Sequence, residues 1–357
     1  MNTKRIRILV VDDSALMRRI ISDIVQAQND MELVGTAYNG EDALRKIKRL
    51  SPDVVTMDLE MPKLDGISTL KIIMAEDPLP VIIISSYTQR GSEKTMEALA
   101  HGAVDFVAKP LTGTDDTIEA LRKVLPDKIR GAFGARLYSG LRKHPFRRVL
   151  PEEKTSGEQE ADIVVAIGAS TGGPRALEDI LKEFPADFPA ATIITQHMPA
   201  GFTASLAKRL DRISNLKVKE AEEGDRLLEG EALIAPGGFH LKVIDKKIVI
   251  DSSPKVNHVR PAIDVMLESL VYLPVPVIAV ILTGMGRDGK KGVQYLKSNK
   301  KETVVVMAQD PHTSVVKGMP EAVINTGHCD SIEQLSAMPA QIINWVQKLK
   351  NEYKTDT

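Results

Sequence analysis

The sequence predicts an α/β fold built twice, as two doubly wound parallel sheets in one chain. Three observations predict it. Short β-branched runs alternate with longer amphipathic stretches in both halves, and the alternation pauses once, over about residues 126–160. Acids, hydroxyls and glycines stand just past the ends of the apolar runs, where parallel sheets gather their functional groups. The 357 residues suggest roughly two domains of about 100–200 each, and 43% hydrophobic content supplies two cores.

In chain order, Ile8, Leu9, Val10 and Val11 read as the first buried strand, followed by a helix over residues 14–28. A second helix covers residues 40–50. Further buried strands are expected over 54–57 and 81–84, and another before Lys109. Residues 1–125 form the first expected domain. From about Pro126 to Ala161 a charged segment is broken by Gly131, Gly134, Gly140, Pro145, Pro151 and Gly157, and residues 126–160 are expected to be a linker. Ile129, Phe133, Leu137 and Leu141 recur every fourth residue within it, which suggests a helix docking on one or both domains. Lys128, Arg130, Arg136, Arg142, Lys143, Arg147 and Arg148 follow with no acid between them, either a solvated face or a surface for nucleic acid or an acidic receptor. The α/β pattern restarts in residues 161–350, with strands over 163–167, 191–195, 232–235, 277–282 and 303–307. Residues 242–251 read as a strand of a hairpin-like excursion.

A formal net charge of -1 gives no global reason to expect nucleic-acid or anionic-membrane binding. Cys329 is the only cysteine, which excludes an intrachain disulfide and fits a reducing cytoplasm. The N-terminal run is not expected to be a signal peptide, and no apolar run is long enough to span a bilayer.

Asp12 and Asp13 follow the first strand and Asp58 ends a later one, so a doubly wound sheet brings three carboxylates to one crevice. Such a cluster suits a hard cation such as Mg²⁺, beside which one carboxylate could attack a phosphoryl donor and form an acyl phosphate. Ser85 and Lys109, at the ends of the next two strands, could hydrogen-bond and pair with the new phosphoryl group. These residues, with residues 58–62 (Asp-Leu-Glu-Met-Pro), Asp65-Gly66 and Lys109-Pro110 in order, resemble the response-regulator receiver family over about residues 5–125. The resemblance implies a flavodoxin-like fold with Asp58 as phosphoacceptor and Asp12 and Asp13 as metal-binding acids. It also implies the backbone carbonyl of Glu60 as a further Mg²⁺ ligand, Ser85 and Phe106 as switch residues, and Lys109 as the paired lysine. An aromatic inside a strand is also a common core residue, so Phe106 carries both readings.

In the second half a buried strand runs directly into residues 168–174, Gly-Ala-Ser-Thr-Gly-Gly-Pro. The G-x-S-x-G arrangement lets a tight strand-to-helix turn expose the Ser170 hydroxyl and aim backbone amides at an oxyanion. A dinucleotide site is the competing reading, and its G-x-G-x-x-G spacing is not met. Of the histidines, His197 follows the next strand and shares the rim with Ser170, which makes it the chosen base; His101 and His144 fall in the first domain and the linker. His240, His258, His312 and His328 lie in loops of the second domain and stay open. Asp288, in a glycine-rich turn after the most continuous apolar strand, is the candidate acid.

The order Ser, His, Asp is not that of α/β-hydrolases, subtilisin or chymotrypsin. Residues 161–350 instead resemble the catalytic domain of the chemotaxis protein-glutamate methylesterase (CheB) family. The matching segments are 168–174, 196–199 (Gln-His-Met-Pro), 235–238 (Ala-Pro-Gly-Gly), 258–261 (His-Val-Arg-Pro), 283–289 (Thr-Gly-Met-Gly-Arg-Asp-Gly) and 318–320 (Gly-Met-Pro). Residues 310–313, Asp-Pro-His-Thr, differ from the acidic run associated with that family. The resemblance implies a doubly wound methylesterase domain with Ser170 as nucleophile, His197 as base, Asp288 as its orienting acid, and Thr171 and Met285 shaping the oxyanion site. Arg260 is weighed from its own position, as a contact for an acidic substrate or as a surface ion pair. The implied reaction is hydrolysis of γ-glutamyl methyl esters on methyl-accepting chemotaxis receptors, with deamidation of particular glutamines and no cofactor for the esterase chemistry. The implied phosphodonor is the chemotaxis histidine kinase CheA. A receiver-controlled binding or transcriptional module using the basic segment is the alternative, and no helix-turn-helix signature supports it.

Overall fold

The computed structural model describes residues 5–109, 115–135 and 159–355. The chain divides into two compact units, Met1–Arg142 and Lys143–Thr357. In the first, β1 (Ile6–Val11), α1 (Ala15–Gln26), β2 (Met31–Ala37), α2 (Gly40–Leu50), β3 (Val54–Asp58), α3 (Gly66–Glu76), β4 (Val81–Ser85), α4 (Gln89–Ala100), β5 (Asp105–Ala108) and α5 (Asp115–Phe133) follow one another. Every strand pairing is parallel, in the order β2-β1-β3-β4-β5. β3 and β4 are buried along their whole length, as strands covered by helices on both faces must be. α1 to α4 start on side-chain caps: Ser14, Asn39, Asp65 and Thr88 each accept a backbone N–H three residues on. Each such cap stabilises its helix by about 1 kcal/mol.

α5 continues across the expected boundary at residue 125. It passes through Pro126 and ends at Phe133, so the segment expected to open the linker is helical there. Proline inside a helix costs about 3 kcal/mol. Leu125, Ile129 and Ala132 are fully buried on this stretch, and their packing offsets the cost. Two members of the basic run also lie here and are already engaged: Lys128 pairs with Asp105 at 2.7 Å, and Arg130 with Asp30 at 2.8 Å. Leu137, Leu141, His144 and the remaining basic positions of the run fall outside the described residues.

The second unit runs β6 (Val164–Ala169), α6 (Gly173–Leu181), β7 (Ala191–Gln196), α7 (Phe202–Ile213), β8 (Lys217–Glu220), β9 (Glu231–Ile234), β10 (His240–Ile244) and β11 (Lys247–Asp251). α8 (Ile263–Ser269), a 3₁₀ turn (Leu270–Tyr272), β12 (Val277–Ile281), α9 (Lys290–Asn299), β13 (Val304–Gln309), α10 (Gly318–Ile324), β14 (Ser331–Glu333) and α11 (Met338–Thr355) complete it. Seven strands form a parallel sheet in the order β14-β13-β12-β6-β7-β9-β8. Residues 242–251, read as one strand, are most of an antiparallel pair, β10 with β11, which stands apart from the large sheet. β2, β8 and β14 were not expected. All three are edge strands with half-exposed residues, so they leave no continuous apolar run.

Both sheets reverse direction beside their first strand, β1 and β3 in one unit, β6 and β12 in the other. Crevices at such reversals are where open α/β sheets bind ligands. Asp12 and Asp58 stand at the first, and Ser170 at the second.

Candidate functional site

β6 and β7 pair in register up to Ala169 and Gln196, so Ser170 and His197 are the next residues on adjacent strands. The His197 N–H donates to the Ala169 carbonyl at 3.1 Å, and Gln196 Nε2 donates to the Ser170 carbonyl at 3.0 Å. From the other side, the Ser170 N–H donates to the carbonyl of Thr283, just past β12, at 3.0 Å. The serine turn is therefore held by both neighbouring strand ends. The 283–289 turn lies against it so closely that only glycine fits at 284. A Cβ there would stand 2.3 Å from Met319 Sδ and 2.8 Å from Ser170 Cβ.

Asp288 is buried, and His197 Nε2 donates to its Oδ2 at 2.8 Å. That bond leaves Nδ1 of the imidazole to accept a proton. No hydrogen bond joins Ser170 Oγ to His197 among the described residues, so the structure brings the three candidates to one rim and forms the histidine–carboxylate contact. Burial opposes the charge on Asp288, yet the His197 hydrogen bond and charge and the N–H groups of Ile263 and Asp264 outweigh it, holding this carboxyl below its ordinary value.

Thr171 is buried beside Ser170, and its carbonyl accepts the Thr283 hydroxyl at 2.9 Å. Met285 is exposed on the turn that abuts the serine. Arg260 forms no ion pair among the described residues; its Nη1 donates to the carbonyls of Ser252 at 2.6 Å and Ser253 at 2.8 Å. Those bonds tie the segment after β11 to the 260 turn, which gives the guanidinium a structural task. Of the histidines left open, His240 is fully buried, with Nδ1 accepting from Ala262 N–H and Nε2 donating to the Pro254 carbonyl. It is a satisfied core residue. Sequence reasoning missed Asn257 and Asp264, which both contact Asp288. An asparagine in a turn and an acid in the first turn of a helix carry no signal that separates them from ordinary ones.

In the first unit, ligand atoms of Asp12, Asp13 and Asp58 all lie within 4.8 Å of one another. Lys109 Nζ stands 3.0 Å from Asp12 Oδ2 and 2.8 Å from Asp58 Oδ2. Asp12 Oδ2 is buried and, although charge-paired with Lys109, has no hydrogen bond of good geometry. An under-satisfied buried oxygen in a cluster of hard carboxylates fits a hard divalent cation. Burial pushes the Asp58 carboxyl up, and the Asp12 charge adds to this against the opposing pull of Lys109. For Lys109 burial acts downward, but Asp58 and Asp12 outweigh it and its value is raised. The Ser85 hydroxyl donates to the Gly91 carbonyl at 3.1 Å, and the Phe106 side chain is buried with Lys128 Nζ 5.8 Å from its ring centre. The Glu60 side chain turns to Lys94 at 2.8 Å, and Glu60 lines the same cleft as Asp13, Asp58, Ser85 and Lys109.

Fold and site together define a class: a hydrolase unit with a serine, a histidine and a carboxylate at strand ends, carried with a receiver unit. Residues 165–342 match the CheB methylesterase family and residues 8–122 the response regulator receiver domain. The chain is 40% identical to the protein-glutamate methylesterase/protein-glutamine glutaminase of Pyrococcus horikoshii over 97% of its own length and 95% of that protein. It is 44% identical to the protein of the same name from Thermotoga maritima, over 97% of its length and 100% of the relative. The crystal structure of the Thermotoga maritima CheB methylesterase catalytic domain, 45% identical, covers 52% of this chain and 100% of that one with a TM-score of 0.49. The chain belongs to the CheB methylesterase family.

Proposed function

We propose that this chain hydrolyses γ-glutamyl methyl esters on methyl-accepting chemotaxis receptors, deamidates particular receptor glutamines, and is activated by phosphorylation at Asp58. The observation that carries the reading is the 2.8 Å contact from His197 to Asp288 on the rim where Ser170 follows β6. Ser170 Oγ attacks the ester carbonyl while His197 Nδ1 takes its proton. The imidazolium formed is stabilised by Asp288, and backbone amides around Thr171 and Met285 receive the oxyanion. His197 returns the proton to the leaving methoxide, releasing methanol. Water then attacks the acyl-enzyme, with His197 again as base, to give glutamate and free serine. With a glutamine side chain the same steps release ammonia. No cofactor takes part in this acyl transfer.

In the receiver unit Asp12, Asp13, Asp58 and the Glu60 carbonyl would hold Mg²⁺. When bound, that ion supplies positive charge beside the transferring phosphoryl group. The Asp58 carboxylate accepts the phosphoryl group from the histidine kinase CheA, Lys109 pairs with it, and Ser85 and Phe106 report its presence. Residues 1–125 and 161–350 act as the two functional domains, joined by residues 126–160, and the protein works in the cytoplasm. Among the described residues no helix is long and apolar enough to cross a membrane. The test is methanol release from methylated receptor membranes by the wild type and by Ser170→Ala. Release should depend on Ser170, and activity of Ser170→Ala within about tenfold of wild type would remove it as the nucleophile.

A further inference from the structure

Asp288 shares its pocket with a second buried acid, Asp264, and one side-chain amide reaches both. Asn257 Nδ2 lies 2.8 Å from Asp288 Oδ1 and 2.8 Å from Asp264 Oδ2. An amide nitrogen carries two hydrogens, and here each serves one carboxylate. The two acids are also tied crosswise through the backbone. Asp288 accepts the N–H groups of Ile263 at 2.6 Å and Asp264 at 3.1 Å, at the start of α8. Asp264 Oδ1 in turn accepts those of Gly289 at 2.9 Å and Gly292 at 2.7 Å, at the start of α9. Each acid closes the first turn of the other's helix. Burial and the Asp288 charge push the Asp264 carboxyl up, whereas Asp288 is held down, so the environment separates two like groups that would otherwise repel.

Asn257 has an alternative explanation in its own turn. Val256 and Val259 exchange backbone hydrogen bonds at 3.2 and 3.0 Å, with φ of 51° at Asn257 and 66° at His258. A two-residue turn with both central residues left-handed favours asparagine at its first position whatever the side chain does. Turn asparagines commonly bond their own local backbone. This one instead bonds two carboxylates, 7 and 31 residues further along the chain.

We propose that Asn257 is a positioning residue for the acyl transfer: anchored on Asp264, its amide fixes the Asp288 carboxylate where Oδ2 meets His197 Nε2. The proposal rests on the reading of Ser170, His197 and Asp288 as one unit. It makes the direction of His197 Nδ1 depend on a residue that forms no hydrogen bond with the histidine among the described residues. Asp264 contributes as the second anchor, holding the amide and the 288–292 turn in one frame.

The test uses the full-length chain and methanol release from methylated receptor membranes, with kcat and KM separated and a thermal melt of each variant. Asn257→Gly keeps the left-handed turn and removes the amide. Asn257→Asp keeps the size and the tolerance of that turn but replaces the donor with a third acid. Both should melt cooperatively and lose kcat by about 10–100-fold, the range for partners that orient a site's side chains, with KM within about twofold. The double variant Asn257→Gly with Asp288→Asn should be no slower than Asp288→Asn alone, because the amide acts through that carboxylate. A folded Asn257→Gly with wild-type kcat, or losses that multiply in the double variant, would leave Asn257 as a turn residue and overturn the proposal. If the glycine variant does not fold, Asn257→Asp decides by the same comparison. Wild-type activity in Asp288→Asn would overturn the triad reading and this proposal with it. That outcome differs from a slow Asp288→Asn beside fast Asn257 variants, which overturns the proposal alone.

Discussion

Asp288 receives hydrogen bonds from four groups: His197 Nε2, Asn257 Nδ2 and the N–H groups of Ile263 and Asp264. A carboxylate so held stays ionised and in place, which is what an acid orienting an imidazole must do. Asp288→Asn keeps the shape but removes the charge, and should slow methanol release by about 10²–10⁴-fold. Ser170→Ala should cost at least as much, since such groups act as a unit. A circular-dichroism melt beside each rate separates lost chemistry from lost fold. In the receiver unit, Asp58→Asn should abolish incorporation of radiolabel from a phosphodonor, and so should chelation of divalent cations. Label on wild-type protein should be stable to acid and labile to base, as an aspartyl phosphate is. Stoichiometric labelling of Asp58→Asn would show that another group is the acceptor. Ser170, His197, Asp12, Asp58 and Lys109 were visible as candidates because each stands at or just past the end of a strand. Asn257 and Asp264 were not, because only the three-dimensional pocket distinguishes them from a routine turn and a routine first helical turn.

At the scale of elements, the rim depends on turns that admit no side chain. Gly284 separates Ser170 from Met319, and Gly284→Ala would have to push one of them away. The overpacking should cost about 1–3 kcal/mol of stability in a denaturant titration. Its effect on kcat should be larger than that loss suggests, because Ser170 Cβ, 2.8 Å from the added methyl, belongs to the serine turn. Wild-type kcat in a destabilised Gly284→Ala would show that the 283–289 turn does not fix the serine. In the receiver unit a Cβ on Gly66 would stand 2.2 Å from the Asp58 carbonyl, so the α3 start is fitted just as closely to the end of β3. The central strands β1, β3, β4, β6, β7, β12 and β13 were legible because burial on both faces demands unbroken apolar runs. Edge strands lack that demand, and α5 continues through Pro126 because buried Leu125 and Ile129 flank the proline, a tertiary effect that local propensity cannot express.

At the scale of the molecule, two sheets of the same class each place chemistry at the reversal of strand order, one suited to a phosphoryl group and the other to an ester. Regulation requires that phosphorylation favour one of two states of the chain that differ in activity. A chain lacking residues 1 to about 145 should therefore hydrolyse receptor esters without responding to a phosphodonor. Through such a shift, phosphorylation of Asp58 should govern the Ser170 reaction. The measurement that tests it most directly is the rate of methanol release from methylated receptor membranes by the full-length chain, with and without a small-molecule phosphodonor, for wild type and Asp58→Asn. The donor should accelerate the wild type and leave Asp58→Asn at its basal rate; equal acceleration of both proteins, or none in a wild type shown to be labelled, would show that Asp58 does not govern the reaction.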